Sequence, residues 1–251
     1  VIAALLSLAE TRAAAGQFFY LAADIETFRA HLITCIGLAT SDSRASSLPF
    51  VALTGDRERP LRSFWPPEQE ASLVIMVARL LAHPAVRLIG QNWLYDRAFL
   101  WEWWRVDAAA WWDTLVAQNL LLPGTQKDLG YLSSLYCRHH RFWKRDARDW
   151  LDGTDDMGLE QHLLYNAEDC ARDFEVAVEQ KRALYEVQPD RKLYPPQGRL
   201  RLWESDELPK IALAWEMQRR GMRVNQAARA KLALELIEAR AALGAWLEAV
   251  A

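Results

Sequence analysis

Phe18-Phe19-Tyr20-Leu21-Ala22-Ala23-Asp24-Ile25-Glu26-Thr27 is the stretch on which the fold of this chain turns, an apolar run that ends in two acids. Residues 18–24 read as a strand. Strand side chains alternate between faces, so Asp24 and Glu26 project together at the end of a sheet, which is a metal-ligand geometry. A strand-end pair solvated at the surface is the other reading of this motif taken alone.

Working outward, Leu32 to Thr40, with Gly37 inside it, and Leu48 to Leu53 read as adjacent strands. Asp56 to Pro67, which follows Gly55 and is rich in Arg and Pro, reads as a loop. Glu68 to Ala82 carries Leu73, Val77, Leu80 and Leu81 at helical spacing and stops at His83-Pro84. A strand follows at Val86 to Gly90, then a helix at Leu94 to Arg105, a short strand at Trp111-Trp112, and a helix over Thr114 to Leu122 closed by Pro123-Gly124. Strands alternating with helices predict an α/β fold, a mixed sheet flanked by helices. Asp128 to Arg138 is a further helix, and Arg141 to Gly158 is charged and irregular. Leu159 to Tyr185 places Leu163, Leu164, Ala167, Ala171, Phe174 and Val178 on one long helical stripe that closes the first domain. Gln188 to Pro196, with three prolines, suits a linker. Beyond it lie two helices. One carries Leu208, Ile211 and Trp215 and ends at Arg220-Gly221. The other carries Leu232, Leu236, Leu243, Leu247 and Val250.

Composition bounds the function. Half of the 251 residues (51%) are hydrophobic and 25% charged, the balance of a chain with a large buried core. The net charge of −3 excludes a global basic field, so a polyanionic partner must be held locally. Cys35, Cys137 and Cys170 lack zinc-ribbon or CxxC spacing, and a reducing compartment, the cytoplasm, is expected. The apolar opening Val1–Ala9 has no basic segment before it and is too short to span a bilayer, so no signal, anchor or membrane partner is expected. A first residue other than Met and a helical pattern running to the last residues are expected of a piece of a longer protein.

Two more acidic motifs lie downstream. In Gly90-Gln91-Asn92-Trp93-Leu94-Tyr95-Asp96 a strand feeds a helix, and Asn92 and Asp96 share one side at i and i+4. In Tyr165-Asn166-Ala167-Glu168-Asp169 a phenol stands one turn before a carboxylate. Bringing Asp24, Glu26, Asp96 and Asp169 together costs several kcal/mol, about 4 kcal/mol for one pair at about 4 Å and an effective dielectric near 20. Divalent cations must neutralise them, and carboxylates without a His cluster favour Mg²⁺ or Mn²⁺ over zinc. Two such ions can clamp the attacking and leaving oxygens of an in-line phosphoryl displacement.

In order and spacing, Asp24-x-Glu26, Asn92-x-x-x-Asp96 and Tyr165-x-x-x-Asp169 resemble the three exonuclease motifs of the DEDD superfamily in its tyrosine variant. The resemblance implies a ribonuclease H-like fold and 3′→5′ hydrolysis of nucleotides from a strand end. It makes Asp24, Glu26, Asp96 and Asp169 metal ligands for two ions, Mg²⁺ or Mn²⁺, and has Tyr165 orient the attacking water. More narrowly, Ile36-Gly37-Leu38-Ala39, Gly90-Gln91-Asn92-x-x-Tyr95-Asp96, Trp112-Asp113-Thr114-Leu115, Leu129 to Tyr136 and Phe142-Trp143-Lys144 resemble the proofreading domain of a family A DNA polymerase, phage-like in character. Glu216-Met217-x-x-Arg220-Gly221-Met222-x-Val224 resembles the start of that family's thumb. Asn225 departs from the thumb's usual Asp, and Asp173 from the Thr of many relatives; neither removes a ligand. The implied division is an exonuclease domain over 1–187, a linker over 188–199 and the start of a thumb over 200–251, with the rest of the thumb, the palm and the fingers expected beyond Ala251 in a bacterial or phage-infected cell.

The expected substrate is the single-stranded or frayed 3′ end of DNA, contacted by Thr27, Phe28, Asn92, Trp93 and Lys144. Lys144 is the first choice within the basic stretch Arg138 to Arg148, and Phe28 and Trp93 are the candidates for base stacking. Other residues have plainer readings. Most of the tryptophans are core residues, Asp113 is a helix N-cap as readily as a supporting acid, His139, His140 and His162 are surface residues, and Tyr165 alone would be a core tyrosine. A ribonuclease D-like exoribonuclease uses the same acids, and an inactive exonuclease-fold DNA-binding module would have lost at least one of them.

Overall fold

The computed structural model describes residues 1–28, 32–52, 62–141, 143–145, 158–185 and 202–250. The expected linker 188–199, much of the loop after Asp56 and most of the irregular segment before Gly158 lie outside these residues. Two compact units are present, Val1–Trp215 and Glu216–Ala251.

The first unit is built on a mixed five-stranded sheet in the order β3-β2-β1-β6-β7. Strands β1 (Phe19–Phe28), β2 (Leu32–Ser41) and β3 (Arg44–Pro49) form an antiparallel meander, while β6 (Val86–Gly90) and β7 (Trp112–Asp113) run parallel to β1. Two short strands, β4 (Val51–Ala52) and β5 (Arg62–Ser63), pair separately. The third strand thus begins at Arg44, earlier than the apolar run suggested, and breaks at Phe50. Its first half, Arg-Ala-Ser-Ser, is an edge whose outward groups need no apolar alternation.

Alternation along β1 decides everything that follows. Phe19, Leu21, Ala23 and Ile25 enter a core shared with helices α1 (Ile2–Ala14), α2 (Pro67–Leu81) and α3 (Trp93–Trp104). Ala22 enters a second core on the opposite face, with Trp112, Cys170 and Ala177, under α4 (Thr114–Leu121) and the long α6 (Leu159–Tyr185). Helix α5 (Leu129–Tyr136) packs on α6 through Leu132 and Val176. Because α6 covers the face of Ala22, Asp24 and Glu26, two and four residues on, point toward it.

Helix α1 is an addition to the expected elements. Ile2, Leu6 and Ala9, at helical spacing, are buried against Val77, Leu80 and Leu81 of α2, so the opening apolar run is an amphipathic packing helix. A π-helical turn, Trp203–Glu207, leads into α7 (Leu208–Arg220), and Trp203 stacks on Trp112 with ring centroids 4.5 Å apart. Trp215 receives the Arg97 guanidinium on its ring face, 4.4 Å from the centroid. In the second unit, α8 (Gln226–Val250) leaves Leu232, Leu236, Leu243 and Leu247 exposed. Among the described residues no helix is long and apolar enough to cross a membrane.

Candidate active site

The acids converge at the carboxyl ends of the parallel strands β1 and β6, the crevice that open α/β sheets leave between strand ends and the following loops. Asp24 and Glu26 arrive from β1. Asp169 arrives from α6, and ligand oxygens of all three lie within 4.8 Å of one another. Two residues set how closely α6 approaches. Gly37, paired with Asp24 across the strands, has no side chain; a Cβ there would stand 2.5 Å from Cys170 Sγ and 2.6 Å from Asn166 Oδ1. Through that gap Asn166 Nδ2 donates to Asp24 Oδ2 at 2.9 Å, while Asn166 Oδ1 accepts from Ser47 Oγ at 2.6 Å. Asn166 had appeared only as a spacer between Tyr165 and Asp169; its one sequence signal was a polar residue on the sheet-facing side of a helix opposite a glycine.

Asp96, the fourth expected ligand, stands beside this trio. It is buried in the first turn of α3, and its Oδ1 accepts the Ile25 N–H at 2.9 Å, which ties it to the middle of the Asp24-Ile25-Glu26 motif. Asp113 fixes the approach. It caps α4 by accepting from Leu115 and Val116, and it also accepts the backbone N–H of Asn92 at 3.2 Å and of Trp93 at 2.9 Å. Asn92 takes the left-handed conformation (φ 56°) that this turn requires, and asparagine tolerates it better than most residues. Asp113 is therefore both a helix cap and the anchor of the turn that presents Asp96.

Tyr165 and Asp169, one turn apart on α6, share a neighbour that joins them. Lys144 Nζ donates to Tyr165 Oη at 2.8 Å and to Asp169 Oδ2 at 2.6 Å, from the turn Trp143–Arg145. On the other carboxylate oxygen, Trp143 Nε1 donates to Asp169 Oδ1 at 2.5 Å.

Burial, then the charge of Asp169, pushes the Asp24 carboxyl up to about 7, against the pull of Lys144 and Asn166. Burial, then Asp24 and Asp169, holds Glu26 well above the usual carboxylate range, and burial followed by Asp24 does the same to Asp96. Burial is the largest single influence on the Lys144 ammonium and opposes it, yet Asp169 and Tyr165 together, by charge and by hydrogen bond, outweigh burial and raise that group above the ordinary lysine value. Crowded carboxylates that resist ionisation are a site short of positive charge. The residues fit a hard divalent ion: every donor is a carboxylate oxygen, the trio spans about two metal–oxygen bond lengths (~4–5 Å), and each Asp169 oxygen keeps a lone pair beyond the one it gives to Trp143 or Lys144.

The expected substrate contacts separate. Thr27, after a bulge at the end of β1, meets Tyr95 Oη through its Oγ1 at 3.1 Å, and Phe28 is partly exposed on the same strand end. The Asn92 side chain is exposed. Trp93 is not a stacking platform: it is 2% exposed, packs against Gly90 and donates its Nε1–H to Ala108 O at 2.7 Å. The apolar ring wins burial over exposure, and the aromatic that reaches solvent on this helix turn is Tyr95, 44% exposed. Lys144 is turned into the acids rather than lying on an open basic face. His162, expected at the surface, is buried, holds Thr34 Oγ1 at 2.8 Å and is lowered by burial to about 4, so it is neutral at physiological pH.

Neither a protein-family model nor a curated protein matches the sequence at a significant level. Solved structures do. The polymerase domain of Pol1 from M. smegmatis, in complex with DNA primer-template and dNTP, aligns over 92% of this chain at 17% identity and a TM-score of 0.57. Escherichia coli RNase D, an exoribonuclease involved in structured RNA processing, aligns over 88% at 14% identity and a TM-score of 0.55. The chain spans 34% of the first and 49% of the second. A structure described as the apo form of a nuclease aligns over 82% of this chain and 90% of its own at 16% identity, with a TM-score of 0.49. The chain therefore shares the α/β fold of these two larger structures, a mixed sheet flanked by helices with a helical C-terminal part.

Proposed function

We propose that this chain is a metal-dependent 3′→5′ exonuclease, the proofreading domain of a family A DNA polymerase joined to the first helices of its thumb. The observation that carries the reading is the convergence of Asp24, Glu26 and Asp169 within 4.8 Å, with Tyr165 one turn from Asp169, on an exonuclease-type fold. Asp24, Glu26 and Asp169, with Asp96 beside them, would hold Mg²⁺ or Mn²⁺, two ions in all. Bound there, divalent ions supply the positive charge that activates water and stabilises the leaving oxygen. Asn166 and the Ile25 N–H keep Asp24 and Asp96 in place, and Tyr165 orients the attacking water. The water oxygen bonds to the terminal phosphorus, the bond from phosphorus to the preceding 3′ oxygen breaks, and that oxygen takes up a proton as a nucleoside 5′-monophosphate leaves. Thr27 and Phe28, beside Asn92, would receive the last nucleotides.

An inactive binding module would lack an acid, and all four are present. The alignment with RNase D favours one second reading, an exoribonuclease. Excision from single-stranded DNA, 3′-mismatched duplex, matched duplex and single-stranded RNA at equal salt separates the readings, because unpairing the last bases costs a few kcal/mol and least at a mismatch. Proofreading requires DNA to be cut fastest when single-stranded, then mismatched, then matched. Faster cutting of RNA makes the chain an exoribonuclease, and equal rates on the three DNAs remove proofreading.

A further inference from the structure

Lys144 was expected along the phosphates of a bound strand, but its bonds lead elsewhere. Its Nζ meets Asp169 Oδ2 and Tyr165 Oη and lies 4.9 Å from the centroid of the Tyr165 ring, while the adjacent Trp143 holds the other oxygen of Asp169. An ammonium has three donors and no lone pair, so in this contact the phenol oxygen accepts and its own O–H is left to point elsewhere. A hydroxyl that accepts from a cation is polarised into a stronger donor.

We infer that Lys144 is a positioning residue: it holds Asp169 and Tyr165 in one arrangement as the fixed counter-cation of the acid cluster and makes Tyr165 face the substrate as a hydrogen-bond donor, not as a base. The inference rests on the proposed exonuclease reading. Tyr165 then holds an oxygen lone pair on the substrate side and takes no proton from the attacking water. The geometry also predicts that Lys144 works through Tyr165 and Asp169, without adding affinity for the strand.

The test is a double-mutant cycle on the full chain with Lys144→Met, Lys144→Arg, Tyr165→Phe and Lys144→Met/Tyr165→Phe, each checked by thermal melt. Single-turnover excision of a 5′-labelled single-stranded DNA in saturating Mn²⁺ is read against oligonucleotide concentration, and Mn²⁺ affinity is measured separately without oligonucleotide. The expected result is a rate about tenfold or more lower for Lys144→Met, a loss in the double variant well below the product of the two single losses, partial rescue by arginine, and an unchanged half-saturating oligonucleotide concentration. Mn²⁺ should bind Lys144→Met more tightly, on the order of tenfold, because a competing positive charge is gone. Losses that multiply in the double variant, or a raised half-saturation at unchanged rate, overturn the inference and return Lys144 to the phosphates. Should the parent chain cut no oligonucleotide, the exonuclease reading falls, and the Mn²⁺ titration still decides the role of Lys144: tighter binding to Lys144→Met supports the counter-cation, and equal or weaker binding overturns it.

Discussion

Asp24 carries the largest consequence for pH. Its carboxyl, pushed to about 7 in the fold by burial and by Asp169, titrates at 3.8 when unhindered, so the folded chain holds a proton there that the unfolded chain has lost. Stability from that proton is fully present below the unfolded value and is lost as pH rises through about 7. In chelator, the melting temperature should therefore fall from about pH 5 to about pH 8, and Mn²⁺ should reverse the trend because binding requires the carboxylates to be ionised. A thermal-shift series with and without Mn²⁺ reads both signs. Tyr165→Phe keeps the ring and removes the hydroxyl, so excision should drop about tenfold or more while Mn²⁺ affinity stays within about twofold; parental excision would make Tyr165 a packing residue. The convergence of Asp24, Glu26 and Asp169 was legible because each motif combines two chemical groups at a spacing that fixes their common face. Asn166, Trp143 and the true direction of Lys144 were not, because their roles depend on a contact from another element: Gly37 across the sheet for Asn166, Asp169 across a turn for the other two.

At the scale of elements, the site depends on how close α6 comes to the sheet and on how the turn between β6 and α3 is held. Gly37→Ala puts a methyl group 2.5 Å from Cys170 Sγ and 2.9 Å from the Asn166 carbonyl, which the helix backbone can relieve only by moving away. It should cost about 1–3 kcal/mol by denaturant unfolding, as overpacked sites do, and weaken Mn²⁺ binding as well, because Asn166 withdraws from Asp24. Asp113→Ala removes a cap and leaves the Asn92 and Trp93 amides without their acceptor, a loss of about 2 kcal/mol or more with a parallel fall in excision; lost stability with unchanged excision would make Asp113 a cap alone. The strand-helix alternation that sequence periodicity predicts is the one observed from β6 to α6. Helix α1 escaped because an apolar run of small residues shows its stripe of Ile2, Leu6 and Ala9 only weakly, and the first half of β3 escaped because an edge strand of Arg, Ala and Ser has no apolar alternation to read.

For the whole molecule, the expectation that most tryptophans serve packing holds at Trp112, Trp143, Trp203 and Trp215, all buried; Trp93, expected to stack on bases, is buried with them, and Trp143 shows that a buried tryptophan can still orient a functional acid. A net charge of −3 and a cluster of buried carboxylates leave the chain with little general attraction for a polyanion, so nucleic acid should be engaged chiefly at a cation-loaded site. The central claim is that these acids make one metal-dependent site acting on 3′ ends. Its most direct test is excision of a 5′-labelled single-stranded DNA in Mn²⁺ by the parent chain and by Asp24→Ala/Glu26→Ala, with a thermal melt of each. The parent should shorten the strand stepwise from its 3′ end and release nucleoside monophosphates. The double variant should cut at least about a hundredfold more slowly while melting at the same temperature or higher in chelator, because two half-buried, mutually repelling acids are gone. Undiminished cutting by the folded double variant, or products shortened from the 5′ end, would contradict the account.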